Sequence, residues 1–310
     1  DQLKTALQTS RSIDKYVLSR FSNSILNRVV NICSLLSFRN KIVHVTGDVH
    51  YAILGAWFSH RVLTIHDLAF LHQNNGIKRS ILKWFWIVLP VKFAHRVTVI
   101  SEATKAEVLK YVQVDPTKIK VIPNFISDTF RPIQNLKFNQ FKLKLLQVGT
   151  AFNKNIECLA EALFGIPCTL TIIGKLDKRQ KEILNKYQIQ VINKLDLTEQ
   201  ELYLEYQNAD LLTFVSTVEG FGLPIIEANA CGLAVVTANC SSMPEVAGNA
   251  ALLVDPFDVD SIKNGILTLI GNEDLRNELV KKGFENAKRF SKVKVAAQYE
   301  LLYQELENEN

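Results

Sequence analysis

VEGFGLPIIEANACG, residues 218–232, is the stretch from which the rest of the chain can be read. It follows an apolar run ending near Val215, sets Gly220 and Gly222 in a short loop, and then places Pro224 where the first turn of a helix would begin. Glycine reaches backbone shapes that other residues resist. Proline loses nothing in the first helical turn, where its missing N–H would have had no partner, and Gly232 supplies a C-terminal stop. The segment therefore predicts strand, glycine loop, helix. The free N–H groups at such a helix start, together with the helix dipole, form a seat for an anion such as a phosphate. Glu219 lies in the loop and Glu227 one turn into the helix, far enough from that seat to accept hydroxyls of a ribose or another sugar. A plain strand–helix turn could share the glycines. Two carboxylates framing a glycine loop and a proline-started helix make a more specific pattern.

Outward from this segment, short continuous apolar runs alternate with helical patterns. Strands are predicted at 42–45, 62–65, 97–100 and 119–122, then at 143–148, 169–173, 190–192, 211–215, 234–237 and 252–254. Continuous runs, rather than strict alternation, suit strands covered on both faces of a parallel sheet. Helices are expected at 77–93, 103–111, 156–163, 178–186 and 199–207. The repetition predicts an α/β chain of two Rossmann-like, doubly wound domains, divided where turn formers interrupt the pattern at 132–139: residues 1–135 and 136–310. A last helix over 291–306 carries Val295, Tyr299, Leu302 and Leu306 as one apolar stripe, which could pack on either domain.

The 310 residues suffice for two cores, and no apolar run approaches the roughly 20 residues of a membrane span. The start does not read as a secretory leader. Five cysteines scattered without a C-x-x-C pattern argue for reduced thiols in the cytoplasm and against a disulfide scaffold or zinc site. The net charge of +5 hides an asymmetry: residues 1–140 hold 19 Lys/Arg against 8 Asp/Glu, residues 141–310 hold 17 against 23. The basic half could face nucleic acid, an anionic membrane or a phosphorylated substrate; no P-loop or nucleic-acid motif is present, so no nucleic-acid partner is expected.

Glu219 and Glu227, with seven residues between them, and the run GFGLPIIEA resemble the E-x7-E signature of family 4 retaining glycosyltransferases, which have the GT-B fold. TIHDLAF (64–70), VISEATKAEV (99–108), KVIPNFISDTFRP (120–132), LLQVGTAFNKNI (145–156) and SSMPEVAGNAALLVDPFD (241–258) resemble further family segments in the same order, over roughly residues 40–290. The resemblance implies two domains facing across a cleft, with a nucleotide-sugar donor held by Gly149, Thr150, Lys154, Glu219, Phe221, Gly222, Leu223 and Glu227. Glu227 would bind the ribose, the Gly222 and Leu223 N–H groups the diphosphate with Phe221 beside them, Lys154 the diphosphate, and Glu219 the transferred sugar. His66, Glu219 and Lys154 would carry the catalysis, with His66 near the sugar and acceptor. The implied reaction moves a hexose from a GDP- or UDP-sugar to a glycan or lipid-diphosphate-linked acceptor in polysaccharide synthesis. Mannose is favoured because the His-Asp segment resembles that of mannosyltransferases. Cleavage leaves charge on the β-phosphate; one ammonium about 4 Å away is worth roughly 4 kcal/mol at an effective dielectric of about 20, and a helix N-terminus adds about 0.3–2 kcal/mol. Such groups can replace a metal ion, so neither metal nor cofactor is expected.

This sequence departs from the family pattern at several positions. Asn153 and Thr150 stand where an Arg is common, Asn229 where Met is common, and Leu195 where Gly often lies near the base. These changes, and a chain that opens at Asp1 in a helical pattern without a leading strand, support an alternative: a non-catalytic or truncated homologue that binds nucleotide sugars or a partner. On that reading residues 1–20 are helical and the strand at 42–45 lacks a neighbour. Asp258-Val259-Asp260 resembles a metal-holding D-x-D, but Asp258 after Pro256 reads better as a helix cap. His66-Asp67 has no further His or Cys at ligand spacing. His44 and His50 flank a strand end and could be core or site residues. Trp84, Phe85 and Trp86, with Lys78, Arg79, Lys83 and Lys92, read as aromatics buried against the sheet, with a membrane-interface helix as the competing reading. A peripheral contact with the inner face of the membrane through the basic first domain is expected on charge.

Overall fold

The computed structural model describes residues 2–7, 11–72, 76–133, 138–139 and 141–308. The chain forms two compact α/β units, residues 1–124 with 292–310, and residues 125–291.

The first unit is built on four parallel strands, β1 (Ile42–Val45), β2 (His60–Ile65), β3 (Arg96–Val99) and β4 (Ile119–Val121), in the order β1-β2-β3-β4. The pairings Val45↔Leu63 and Ile65↔Val99 hold the register, and Leu63, Ile65, Val97, Val99 and Ile119 are buried beneath helices. Among the described residues β2 is the strand neighbour of β1, which leaves β1 at a sheet edge. The expectation of helix over residues 1–20 holds only for Gln2–Leu7; residues 11–24 contain neither helix nor strand, and residues 8–10 lie outside the described residues.

The expected helix near 77–93 is one continuous helical run, 76–93, whose middle, Lys83–Val88, widens into a π-turn. The widening separates three neighbouring aromatics. Phe85 stacks on Tyr51 at 5.4 Å and Trp86 meets the same ring edge-on at 5.0 Å, while Trp84 is 53% exposed. The expected burial of the aromatics holds in part: Phe85 and Trp86 are half-buried, against Tyr51 of the 50–55 turn, and Trp84 is not buried.

The second unit holds β5 (Leu143–Val148), β6 (Cys168–Ile173), β7 (Gln190–Lys194), β8 (Leu211–Phe214), β9 (Ala234–Ala238) and β10 (Leu252–Val254), all parallel, in the order β10-β9-β8-β5-β6-β7. The chain starts in the middle at β5, winds outward to β7, and returns to the other side of β5 at β8. All four residues of β8 and all five of β9 are buried, as the unbroken apolar runs require of strands covered on both faces. The reversal between β5 and β8, paired through Leu145↔Leu211 and Leu146↔Leu212, opens a crevice at the strand carboxyl ends, where open α/β sheets take ligands.

The units divide at 124/125 rather than at 135/136. Ile126 donates its N–H to Phe290 O at 2.9 Å, and Phe130 meets Tyr206 edge-on at 5.6 Å, so the segment after Asn124 already belongs to the second core. The helix Lys292–Asn308 rejoins the first unit instead of ending the second. Its stripe Val295, Tyr299, Leu302 and Leu306 is buried, and Arg11 bonds Glu300 at 2.7 Å and Glu307 at 2.8 Å. His44 is a core histidine: Nδ1 lies 2.6 Å from Tyr303 OH and Nε2 2.6 Å from Thr64 Oγ1, and burial lowers its pKa to about 4.

Candidate functional site

The crevice between β5 and β8 is lined by the two loops that leave those strands. After β5 the chain passes Gly149 at φ +93° and Thr150, makes a short turn over Phe152–Lys154, and enters the helix Ile156–Leu163 through Asn155 at φ +58°. This path folds the Lys154 side chain back across Gly149. The glycine is required by its backbone angle; a Cβ there would lie 2.6 Å from Lys154 Cε and push the flexible end of that side chain aside.

Lys154 Nζ then sits 2.7 Å from Glu219 Oε1 and 4.5 Å from the centre of the Phe214 ring. Asn153 Nδ2 donates to the same Glu219 oxygen at 3.1 Å and to Val218 O at 2.7 Å. Asn155 Nδ2 donates to Val215 O at 3.1 Å and to Pro256 O at 2.7 Å. Three consecutive residues, Asn153-Lys154-Asn155, thus fasten the β5 loop to the β8 loop. From the other side the Ser241 and Ser242 hydroxyls reach Glu219 O at 2.7 and 3.0 Å. The lysine and glutamate side chains are only 16% and 14% exposed, which strengthens their attraction over that of a surface pair.

Gly222, at φ +113°, turns the β8 loop into the helix Leu223–Cys231, and Gly232, at φ +86°, ends it. At the start of this helix Pro224 has no N–H and the Ile225 N–H donates to Gly222 O at 3.0 Å, so the Gly222 and Leu223 N–H groups are the donors this end can turn toward an anion, with the helix dipole behind them. One turn further on, Glu227 Oε2 accepts the Tyr206 hydroxyl at 2.7 Å. Burial pushes the Glu227 carboxyl up to about 7; the Tyr206 bond and the Lys154 charge pull it down, and Glu199 pushes it up. Thr150 is fixed on both sides: its hydroxyl donates to Lys175 O at 2.9 Å and its carbonyl accepts Gln180 Nε2 at 2.8 Å.

Of the residues read from the sequence, Gly149, Thr150, Lys154, Glu219, Gly222, Leu223 and Glu227 come together in the second unit. The Phe221 side chain does not line the site. It is buried and packs edge-on against Phe290 at 5.5 Å, because the loop needs an apolar anchor beneath its glycines. His66 belongs to the first unit, just beyond the carboxyl end of β2; burial lowers its pKa, and Asp48 and Asp67 oppose that shift. Asn153, Asn155, Tyr206, Ser241 and Ser242 join this cluster by hydrogen bonds that the sequence reading did not foresee. The first two adjoin Lys154 and could have been suspected, whereas Tyr206 precedes Glu227 by 21 positions and carries no local signal. Asp258 is the expected cap, its Oδ1 accepting Asp260 N–H at 2.9 Å. Among the described residues no group of three or more His, Cys, Asp and Glu is arranged to hold a metal.

Comparison with known proteins bears on this arrangement. The family model "Glycosyl transferases group 1" matches residues 129–286, just over half of the chain, and "Glycosyltransferase Family 4" matches residues 14–130. O-antigen chain mannosyltransferase B of Escherichia coli is 47% identical over 90 residues, 28% of this chain and 24% of that protein. The serotype-specific mannosyltransferase WbdA of Escherichia coli is 28% identical over 258 residues, 74% of this chain and 31% of that one, so the alignment spans a third or less of either relative. O-antigen chain mannosyltransferase RfbU of Salmonella typhimurium is 26% identical over 267 residues, 82% of this chain and 73% of that protein. Among solved structures, Anabaena Alr3699/HepE in complex with UDP-glucose superposes with a TM-score of 0.75 at 17% identity, covering 97% of this chain and 88% of that one. At that identity the likeness is one of fold.

Proposed function

We propose, from the premise that this chain belongs to the group 1 glycosyl transferases and has their GT-B fold, that it is a retaining hexosyltransferase: it moves a sugar, mannose in our reading, from a nucleotide sugar to a glycan or lipid-linked acceptor. The observation that carries the proposal is the joining, at one sheet reversal, of a shielded ammonium, a helix N-terminus and two carboxylates at different depths. In this reading the donor diphosphate lies over Gly222 and Leu223, where the helix N–H groups and Lys154 meet the charge that appears on the β-phosphate as its bond to the sugar breaks. Glu219 Oε1 already takes two donors, from Lys154 and Asn153, so Oε2 is the oxygen that accepts a sugar hydroxyl. Glu227, deeper in the helix, accepts ribose hydroxyls, and Tyr206 fixes its orientation. Asn153 clamps the loop to Val218 and Glu219, so Lys154 supplies the positive charge of this loop.

The relatives named as O-antigen mannosyltransferases favour mannose, and hence GDP-mannose, over other hexoses. The Campylobacter jejuni relative named as acting on a diphospho-undecaprenol carrier favours a lipid-diphosphate acceptor. The five free thiols favour a cytoplasmic setting, and the basic residues of the first unit favour contact with an anionic membrane face; among the described residues no helix is long and apolar enough to cross a membrane.

The test is a thermal-shift screen with UDP-, GDP- and ADP-sugars, repeated on Glu227→Ala and Lys154→Ala, with donor hydrolysis assayed separately. GDP-mannose should stabilise the wild type most. Each variant should bind it about tenfold or more weakly while staying folded. Undiminished donor binding by both variants would refute the site. Binding without hydrolysis or transfer would favour the non-catalytic alternative.

A further inference from the structure

The helical run 76–93 has two unlike faces. Its inner face holds Phe85 and Trp86 against Tyr51, and Trp86 grips the loop after β1 twice: Nε1 donates to Asp48 O at 2.9 Å, and its carbonyl lies 3.1 Å from His50 Nδ1. Its outer face presents Ile77, Ile81 and Trp84 at spacings of four and three, 80%, 63% and 53% exposed. Two isoleucines and a tryptophan in one exposed stripe are costly in water, and their spacing puts all three on one face of the helix. Lys78 and Lys83 interleave with the stripe, and Arg79 is drawn aside to the Tyr111 hydroxyl at 3.2 Å.

We propose that this helix is a docking surface for an anionic lipid bilayer, lying in the interface with Ile77, Ile81 and Trp84 in the acyl boundary and Lys78 and Lys83 among the headgroups. Charge complementarity selects this occupant: the stripe is edged by lysines, lies in the half of the chain with 19 basic against 8 acidic residues, and ends in a tryptophan, the side chain that favours the membrane–water boundary. The proposal rests on the lipid-linked acceptor read above, and assigns the membrane contact to one helix. Because Trp86 of that helix holds the Asp48–His50 backbone, seating the outer face on lipid also fixes the loop next to His66.

The test is co-sedimentation of the full chain with vesicles of phosphatidylcholine alone and of equal parts phosphatidylcholine and phosphatidylglycerol, at low and high salt. The wild type should bind the anionic vesicles, and lose them at high salt. Ile77→Ser/Ile81→Ser/Trp84→Ser should bind about tenfold or more weakly at low salt, and Lys78→Gln/Lys83→Gln about thirtyfold more weakly. Both variants should bind nucleotide sugar like the wild type, which separates failure of this surface from failure of the donor site. Equal vesicle binding by the triple variant and the wild type would overturn the assignment, as would no wild-type binding at low salt. A dimeric wild type made monomeric by the triple change would show the stripe to be an interface between copies, and would overturn it too.

Discussion

Replacing Glu227 by glutamine should make the protein more stable, and increasingly so as the pH rises. Burial lifts this carboxyl from its ordinary 4.5 to about 7. Below the lower value the folded and unfolded chains both hold the proton. Between the two values the folded chain keeps a proton that the unfolded chain releases, so stability falls as pH rises through that window and the loss is complete above about 7. A difference of about 2.5 in pKa corresponds to about 3 kcal/mol at 1.36 kcal/mol for each. Glutamine keeps the shape and an oxygen for the Tyr206 hydroxyl at 2.7 Å, but has no charge to bury. For a unit of this size about 3 kcal/mol is roughly 6–12 °C in Tm. Other groups titrate alike in both proteins, so the quantity to follow is the Tm of Glu227→Gln minus that of the wild type, measured from about pH 5 to about pH 8.5. It should start near zero and climb toward a plateau, while nucleotide-sugar affinity is lost. A difference that stays flat across this range, or turns negative above neutrality, would refute the account of Glu227 as a carboxyl kept partly protonated by its burial.

Gly149→Ala should cost about 1–3 kcal/mol in denaturant unfolding because alanine would be held at φ +93°, and should weaken donor binding because its methyl would displace the Lys154 Cε now 2.6 Å from that position; an unchanged midpoint and Kd would count against the role of this glycine. Tyr206→Phe removes the bond that holds the Glu227 pKa down, so the midpoint of the pH dependence of donor binding should move further up, with about 1–3 kcal/mol lost in stability; a pH profile that does not move would exclude the link. Arg11→Ala unties the end of the helix Lys292–Asn308 from a side chain that serves Glu300, Glu307 and the Tyr303 ring, and limited proteolysis should cleave that helix several-fold faster than in the wild type.

Every strand named from the sequence is present within a residue or two of its expected ends; β8 and β9 are buried throughout, as their unbroken apolar runs imply, whereas edge strands such as β7 are only partly covered. The helix at 223–231 was legible for a different reason: Gly222, Pro224 and Gly232 each occupy a position whose backbone demands that residue type. What stayed hidden depends on distance along the chain. The unit boundary turns on Ile126 meeting Phe290, and the C-terminal stripe is amphipathic whichever unit it covers. Trp84, Phe85 and Trp86 adjoin one another, and which of them faces out follows from the partners of the helix: Phe85 and Trp86 meet Tyr51 while Trp84 stays on the side of Ile77 and Ile81. The glycines, Lys154 and both glutamates, expected from spacing and resemblance to share a site, do lie together around the reversal of the second sheet. For Phe221 motif position fixes the backbone beside Gly222, while its ring follows Phe290 into the core. Asn153 looked like a lost cation, and its amide proves to be a clamp on Val218 and Glu219.

The return of the last helix to the first unit sets an order of manufacture. Residues 125–291 form an unbroken segment, but residues 1–124 must wait for 292–310. At about 5–20 residues per second, the ribosome spends on the order of ten to thirty seconds between the end of β4 and the first turn of the closing helix. Through that interval Arg11 has neither glutamate, and His44 and Thr64 lie under no tyrosine. The half of the protein that is made first is therefore finished last. A nascent chain stopped after Ser291 should present a folded second unit beside an uncapped first one, the form in which cellular chaperones and proteases would meet it.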